Sequence, residues 1–515
     1  MRLCYFTALF ALSLVAAPPN IVLIMTDDMG YSDLGCYGSE IETPNIDRLA
    51  RRGLRFTQFY NAGRCCPTRA SLMTGLYAHQ AGMGGMTSDT GKPGYRGRLM
   101  PNCVTIAEVL KPAGYLSIQT GKWHLGADQE SWWPRGRGFH HSFSSPAGGG
   151  FYFRPSTFYA PRFIVRDGKT LYTKTIDPPK GWYTTDAYTE EGLSFIKKAV
   201  ADQQPFFWYC AYNAPHWPLK AKPADIAKYR GRYRIGWDTI RQQRHERLVK
   251  SGMLDANSTL SPRAKKVPAW DSLSDAQKDE QDLRMATYAA MIDCIDQNVG
   301  KIVSSLHDLN ILENTLILFL HDNGGDLSGG VLGANKGKGE CGTAESFAYY
   351  GECWANVSNA PFREYKTRIH EGGISTPLIA HWPAGISKPG RFVRPPAHVI
   401  DIMATCADFA AATYPKTHNG HDIVPLEGKS LRPVFANAPF ERGPLFFEHQ
   451  GNRGIRDERW KLVTRKGGKW ELYDMQADRT ELHNRAKEFP ERVHTLSAQY
   501  QHWAERAQVT NSKRK

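Results

Sequence analysis

Apolar residues along this chain gather in short β-branched or aromatic runs: "NIVLIMT" (20–26), "YLSIQT" (115–120), "PFFWYCAY" (205–212), "TLILFLH" (315–321) and "TPLIAHW" (376–382). Such runs predict buried strands. Between them the hydrophobic period lengthens. "TPNIDRLARRG" (43–53) carries a proline near its start and a glycine at its end, and "TIAEVLKPAG" (105–114) and "DLRMATYAAMIDCIDQNVGKIVSSLHDLN" (282–310) read as helices in the same way. Strands alternating with helices predict an α/β fold, with a large mixed, mostly parallel sheet flanked by helices. The tail changes character. "PLFFEHQ" and "RGIRDERWKLVTRKGGKWELYDM" (453–475), with a "KGG" turn signal, predict an antiparallel hairpin sheet, and "RAKEFPERVHTLSAQYQHWAERA" predicts a helix after it. The expected division is a leader (1–17), a main α/β domain (18–435) and a small C-terminal α+β subdomain (436–515), with the boundary inside "PVFANAPFERGP".

Composition narrows the class. Hydrophobic residues make up 41% of the 515 and charged ones 23%, which excludes disorder. Met1-Arg2, a short apolar run and Ala16-Ala17 before Pro18 have the form of a cleaved secretory leader, so the expected protein is exported, periplasmic or secreted, without stable membrane insertion. Ten cysteines are scattered thinly, and Cys341 and Cys353 bracket one loop that a disulfide could close. The net charge is +14, and residues 219–266 hold 13 Lys/Arg against 4 Asp/Glu. That stretch could steer acidic substrates, but a solvated helical face is the reading favoured here. No motif or aromatic interleaving supports nucleic-acid binding.

In a parallel sheet, ligands bind beyond the carboxyl ends of the strands. After the first run come Asp27 and Asp28, after the second Lys122 and His124, after the third Asn213 and His216, and after the fourth His321, Asp322 and Asn323. Two aspartates at one strand end with an Asp-Asn pair at another make a hard oxygen cage suited to Ca²⁺ or Mg²⁺. Each alone is also an ordinary turn composition. Lys122 and His124 beside such a cage suit an oxyanion, though each is equally a surface lysine or a satisfied histidine. In "GRCCPTRASLMTG" (63–75), Pro67 suits a first helical turn, which places Cys65 just outside a helix N-terminus with Arg69 one turn along. A cysteine there is a candidate thiolate nucleophile or a buried structural residue.

Cys65-Cys66-Pro67-Thr68-Arg69 with Thr74-Gly75 resembles the signature of the formylglycine-dependent (type I, arylsulfatase-like) sulfatases, of the alkaline phosphatase superfamily fold. "LIMTDDMGYSDLGCYG", "TGKWHLG", "NAPHWP", "DNGG" and "YKTRIHEGGISTP" resemble further segments of that family in its order. The resemblance implies hydrolysis of organic sulfate esters, aryl or carbohydrate, by a gem-diol on formylglycine made from Cys65 by a maturation enzyme. It implies Asp27, Asp28, Asp322 and Asn323, with residue 65, as ligands of Ca²⁺, or alternatively Mg²⁺. It implies Arg69 positioning the gem-diol, Lys122 and Lys366 clamping sulfate, His216 alone or with Lys366 protonating the leaving alcohol and His124 taking the gem-diol proton. Thr68 stands where serine is commoner, and His321 where small residues are, with a packing role expected. The other readings held open are phosphonate monoester or phosphodiester hydrolysis, and a non-catalytic glycan-binding relative.

Overall fold

The computed structural model describes residues 17–155 and 162–510. The leader expected over 1–17 therefore lies almost wholly outside the described residues. Among these, eleven strands form one sheet. Its strands are β1 (Asn20–Thr26), β2 (Leu54–Tyr60), β3 (Leu116–Lys122), β4 (His141–Ser145), β5 (Ile164–Arg166), β6 (Lys169–Tyr172), β7 (Phe206–Ala211), β8 (Thr315–His321), β9 (Ser375–His381) and β10 (Arg391–Val393), with Ala397–His398 beside β2. The order is β10-β2-β9-β8-β1-β7-β3-β4-β5-β6. The centre, β8-β1-β7-β3-β4, is parallel throughout. Strand β9 runs antiparallel to both β8 and β2, so β2 points the same way as the centre.

The continuous apolar runs have a plain cause. Along β1, Ile21, Leu23 and Met25 enter one core and Val22 and Ile24 the other, so neither face meets water. Strand β2 was absent from the sequence expectation because "LRFTQFY" interrupts its apolar residues with Arg55 and Gln58, whose side chains are only half-buried.

The helices that matter for the site are α1 (Pro44–Arg51), α2 (Cys65–Thr74), α3 (Thr184–Ala201), α4 (Trp237–Lys250), α5 (Asp275–Asp308) and α6 (Gly351–Ser358). Helix α5 starts seven residues before the apolar periodicity does, because a capping box of Ser274 and Gln277 closes its first turn. Helix α2 starts two residues before Pro67. The Thr68 N–H bonds the Arg64 carbonyl at 2.9 Å, so Cys65 is the first helical residue and not the residue outside it. Pro67 falls within the first turn, where its missing N–H costs nothing. Gly75 closes the helix at φ 69°.

Two further expectations change. Cys341 and Cys353 are both free thiols. Cys341 Sγ rests on Thr287 Oγ1 at 3.7 Å and Cys353 Sγ on Gln281 Oε1 at 3.4 Å, positions about 9 Å apart along α5. The basic stretch 219–266 is a solvated face only in part: Lys228, Arg234, Lys250, Arg263, Lys265 and Lys266 are exposed, as expected. Arg241 and Arg244 of α4 are buried, and Arg230 and Arg232 pair with Asp279, Asp282 and Glu42.

Past the main sheet, β11 (Leu445–His449), β12 (Asn452–Arg456), β13 (Trp460–Thr464) and β14 (Glu471–Asp474) form an antiparallel sheet, and helix α7 (Pro490–Arg506) packs on it through Leu496, Tyr500 and Trp503. The observed architecture is the mixed α/β class with the smaller antiparallel sheet and helix. No helix of the described residues is long and apolar enough to cross a membrane.

Candidate active site

Because β1, β2, β3, β7 and β8 share one direction, their carboxyl ends meet at one edge of the sheet. There the side chains singled out from sequence come together, all nearly or wholly buried except the half-buried His124. Asp27 and Asp28 follow β1. Asp28 takes φ 63°, a costly left-handed turn that the surrounding contacts hold in place. Its N–H bonds Asp322 Oδ1 at 3.2 Å, and its Oδ1 accepts Asn323 Nδ2 at 2.8 Å.

Three cations balance these carboxylates. Lys122 Nζ lies 2.5 Å from Asp27 Oδ2. Arg69 Nη2 lies 2.9 Å from Asp322 Oδ2 and 3.8 Å from Asp27 Oδ2, and Nη1 bonds the Lys122 carbonyl and the Tyr209 hydroxyl. Lys366 Nζ reaches Asp28 at 2.5 Å and Asp326 Oδ2 at 3.0 Å. Asp326 also accepts Trp217 Nε1 at 3.1 Å. Its position three residues after Asn323 was its only signal in the sequence. His216 Nε2 stands 3.4 Å from Asp28 Oδ2, and its Nδ1 is 2.5 Å from the Trp217 carbonyl, so Nδ1 carries a proton. His321, by contrast, packs away from the cage, with Nδ1 on the Met29 carbonyl at 2.9 Å.

Electrostatics separates the carboxylates. Burial opposes ionisation of Asp27, but Lys122, His216 and Arg69 prevail and hold it well below the usual range. Burial pushes Asp28 up to about 8 against Lys366, and burial with Asp27 raises Asp322. Burial, then Lys122, brings His124 down to about 4, and burial brings His216 to about 4 against the pull of Asp27. The Cys66 thiol, donating to Cys65, lowers the Cys65 pKa against burial, with help from Lys122 and His124.

Two oxygens in this cage, Asp27 Oδ1 and Asn323 Oδ1, are buried with no hydrogen-bond partner. A buried acceptor left so costs roughly 1–3 kcal/mol, and an all-oxygen set with orphaned carboxylate and amide oxygens fits a hard divalent cation. Asp27, Asp28 and His216 bring ligand atoms within 4.8 Å of one another, as do Cys65, Cys66 and His124. Lys122 and Lys366 stand in the same buried cluster as Cys65, and both are of the residue type that pairs with oxyanions.

Comparison with known proteins gives this geometry a family. A family model described as Sulfatase matches residues 19–412, and one described as N-sulphoglucosamine sulphohydrolase, C-terminal, matches residues 363–506. An uncharacterized sulfatase of Schizosaccharomyces pombe is 35% identical, covering 93% of this chain and 92% of its own. An arylsulfatase of Klebsiella aerogenes is 35% identical over 81% of this chain and 92% of its own. The solved structure of Ps i-CgsB in complex with k-i-k-neocarrahexaose superposes with a TM-score of 0.69 at 28% identity, covering 95% of this chain and 93% of that one. The chain belongs to the sulfatase family and is a sulfuric ester hydrolase.

Proposed function

We propose that this protein hydrolyses sulfate esters of sugars or aryl alcohols at residue 65, after conversion of Cys65 to formylglycine. The carrying observation is the convergence of Cys65, Lys122 and Lys366 on a buried cage whose Asp27 Oδ1 and Asn323 Oδ1 have no partner. Asp27, Asp28, Asp322 and Asn323 would hold Ca²⁺, or alternatively Mg²⁺, which supplies charge neutralisation to the sulfate. The formylglycine hydrate supplies one hydroxyl to attack sulfur and a second to expel sulfate.

The chain's own residues do the rest. Lys122 and Lys366, already desolvated, offer Nζ donors to sulfate oxygens at little reorganisation cost. Arg69, tied to Asp322, the Lys122 carbonyl and Tyr209, cannot swing, so it orients the hydroxyl that residue 65 presents. Removal of the alcohol breaks an S–O bond and needs a proton at its oxygen. His216 can supply it from Nε2, because Nδ1 is committed to the Trp217 carbonyl and a sulfate between the lysines raises the pKa of the ring. His124, neutral and with Nδ1 unpartnered, can accept a proton from residue 65. The products are an alcohol and inorganic sulfate. Export and a maturation enzyme acting on Cys65 complete the reading.

The test is the mass of the peptide bearing residue 65, measured with sulfate release, from a host that converts a known sulfatase. We expect the aldehyde mass and sulfate turnover in the parent, and turnover lost by more than about 10⁴-fold in Cys65→Ala at unchanged unfolding temperature. An unconverted Cys65 in active protein, or faster turnover of phosphonate monoesters than of sulfate esters, would overturn it.

A further inference from the structure

The C-terminal sheet reaches the site through its first hairpin. Thr367, the residue after Lys366, donates its N–H to the Gly63 carbonyl at 2.7 Å. Its own carbonyl accepts Asn452 Nδ2 at 3.1 Å, and the same amide group donates to the His449 carbonyl at 2.9 Å. Arg368 Nη1 fixes the other side of Asn452 at 3.2 Å. These bonds set the β11–β12 turn, with His449 at its start, against Gly63-Arg64 and so beside Cys65.

His449 is 0% exposed, and neither ring nitrogen has a hydrogen-bond partner. Burial, then Arg64, brings its pKa down to about 4, so the ring is neutral, with one nitrogen donating and the other accepting. Arg64 is half-buried. Its Nε is buried without a partner, and among the described residues its guanidinium forms no ion pair. The buried arginines Arg69 and Arg244 do form them. The nearest acid of the turn is unavailable to Arg64, because Glu448 Oε2 is 2.7 Å from His79 Nε2 and Oε1 accepts the Gly451 N–H. A guanidinium stays protonated in proteins, so Arg64 is a standing cation.

An arginine that forms no ion pair among the described residues and an imidazole with no hydrogen-bond partner on either nitrogen, brought together from distant parts of the chain beside the nucleophile, have the makings of a recognition site. We propose that Arg64 and His449 bind a second anionic group, a carboxylate or a further sulfate, on the sugar whose sulfate ester lies at residue 65. The inference rests on the sulfate-ester reading above. Arg64 presents its fork to the anion, and His449 donates one N–H to it while accepting a sugar hydroxyl at the other nitrogen.

The experiment measures binding by calorimetry to Cys65→Ala protein, where neither conversion nor turnover enters. The probes are a pyranoside monosulfate, the same pyranoside with a second sulfate, and a monosulfated uronate. Adding Arg64→Gln should raise the Kd of a second-anion probe, relative to that of the monosulfate, by about tenfold or more, and adding His449→Phe should move the ratio the same way by less. Whichever of the disulfate and the uronate loses more identifies the anion. Equal weakening of all three probes would place Arg64 on the scissile sulfate, and an unmoved ratio would leave both residues structural; either overturns the subsite. If His449→Phe fails to fold, the Arg64→Gln ratio alone decides. Failure of the converted parent to release sulfate sinks the hydrolase reading but leaves this ratio standing as the judge of the subsite.

Discussion

Two buried arginines, Arg244 of α4 and Arg69 of α2, answer carboxylates differently. Arg244 of α4 takes Asp33 Oδ1 at 2.6 Å through Nη1 and grips both oxygens of Glu40 at 2.8 Å through Nε and Nη2. The remaining Asp33 oxygen accepts the Tyr288 hydroxyl and the Gly30 N–H, each at 2.8 Å. Every charge in that cluster is spoken for. Arg69 of α2 takes Asp322 at 2.9 Å and reaches Asp27 only at 3.8 Å, and the cage it serves keeps two oxygens unpartnered. A closed cluster holds the fold, whereas an open one is kept at a cost to stability and stands ready for a ligand.

The hardest test of that contrast is Arg244→Met. It strands the buried Asp33 and leaves the half-buried Glu40 only Arg247 at 3.6 Å, so it should cost about 3 kcal/mol of unfolding free energy, read by urea denaturation. Turnover per folded molecule should stay close to the parent's, since Arg244 touches nothing in the cage. A loss below 1 kcal/mol would mean that the closed cluster is not structural.

The open cluster makes the opposite prediction, that stability is gained when something enters. Ca²⁺ added to chelator-treated protein at a hundred times its Kd should raise stability by about 2.7 kcal/mol, with Mg²⁺ as the competing arm. Asn323→Ala, which removes one of the orphaned oxygens, should weaken the gain. If the unfolding temperature ignores both ions, the orphaned oxygens await no cation and the contrast fails.

Much of this was legible in the sequence, and the exceptions share a cause. Strands β1 and β8 announce themselves because both their faces are buried, and the parallel-sheet rule then gathers Asp27, Lys122, His216 and Asp322 without coordinates. Composition could not show that Arg230, Arg232, Arg234 and Arg244 are matched by Asp33, Glu40, Glu42, Asp279 and Asp282 from elsewhere, so the whole stretch read as a solvated face. Arg64 and His449 carried no signal either. What marks them is the absence of partners, which only tertiary structure reveals, and their meeting depends on Asn452 of the small sheet bonding Thr367 in the loop before β9.

The smallest effect separates the clusters by pH. In the folded chain His124 and His216 titrate near 4, against an ordinary value of 6.5. Their folded pKa values are depressed, so the unfolded chain binds more protons between 6.5 and 4, and the stability these rings confer above 6.5 is lost as pH falls through that window. Glu40 is likewise held below its ordinary 4.5, since Arg244 outweighs burial, but its contribution is complete above 4.5 and is lost only below it. Between pH 7.5 and 5 these two rings therefore cost stability while Glu40 does not; Asp28 and Asp322, whose raised pKa values act in the opposite sense, are present in both proteins compared below and cancel from the difference. In chelator, the His124→Gln, His216→Gln double variant should lose less stability than the parent over that interval, by on the order of 1 kcal/mol per ring. His321 and His398, buried with pKa values near 3, remain in both proteins and cancel from the difference. Urea unfolding at the two pH values reads it directly. Identical losses in parent and variant would mean that these rings meet protons as freely in the folded chain as in the unfolded one, and the cage would then be no more enclosed than the protein surface.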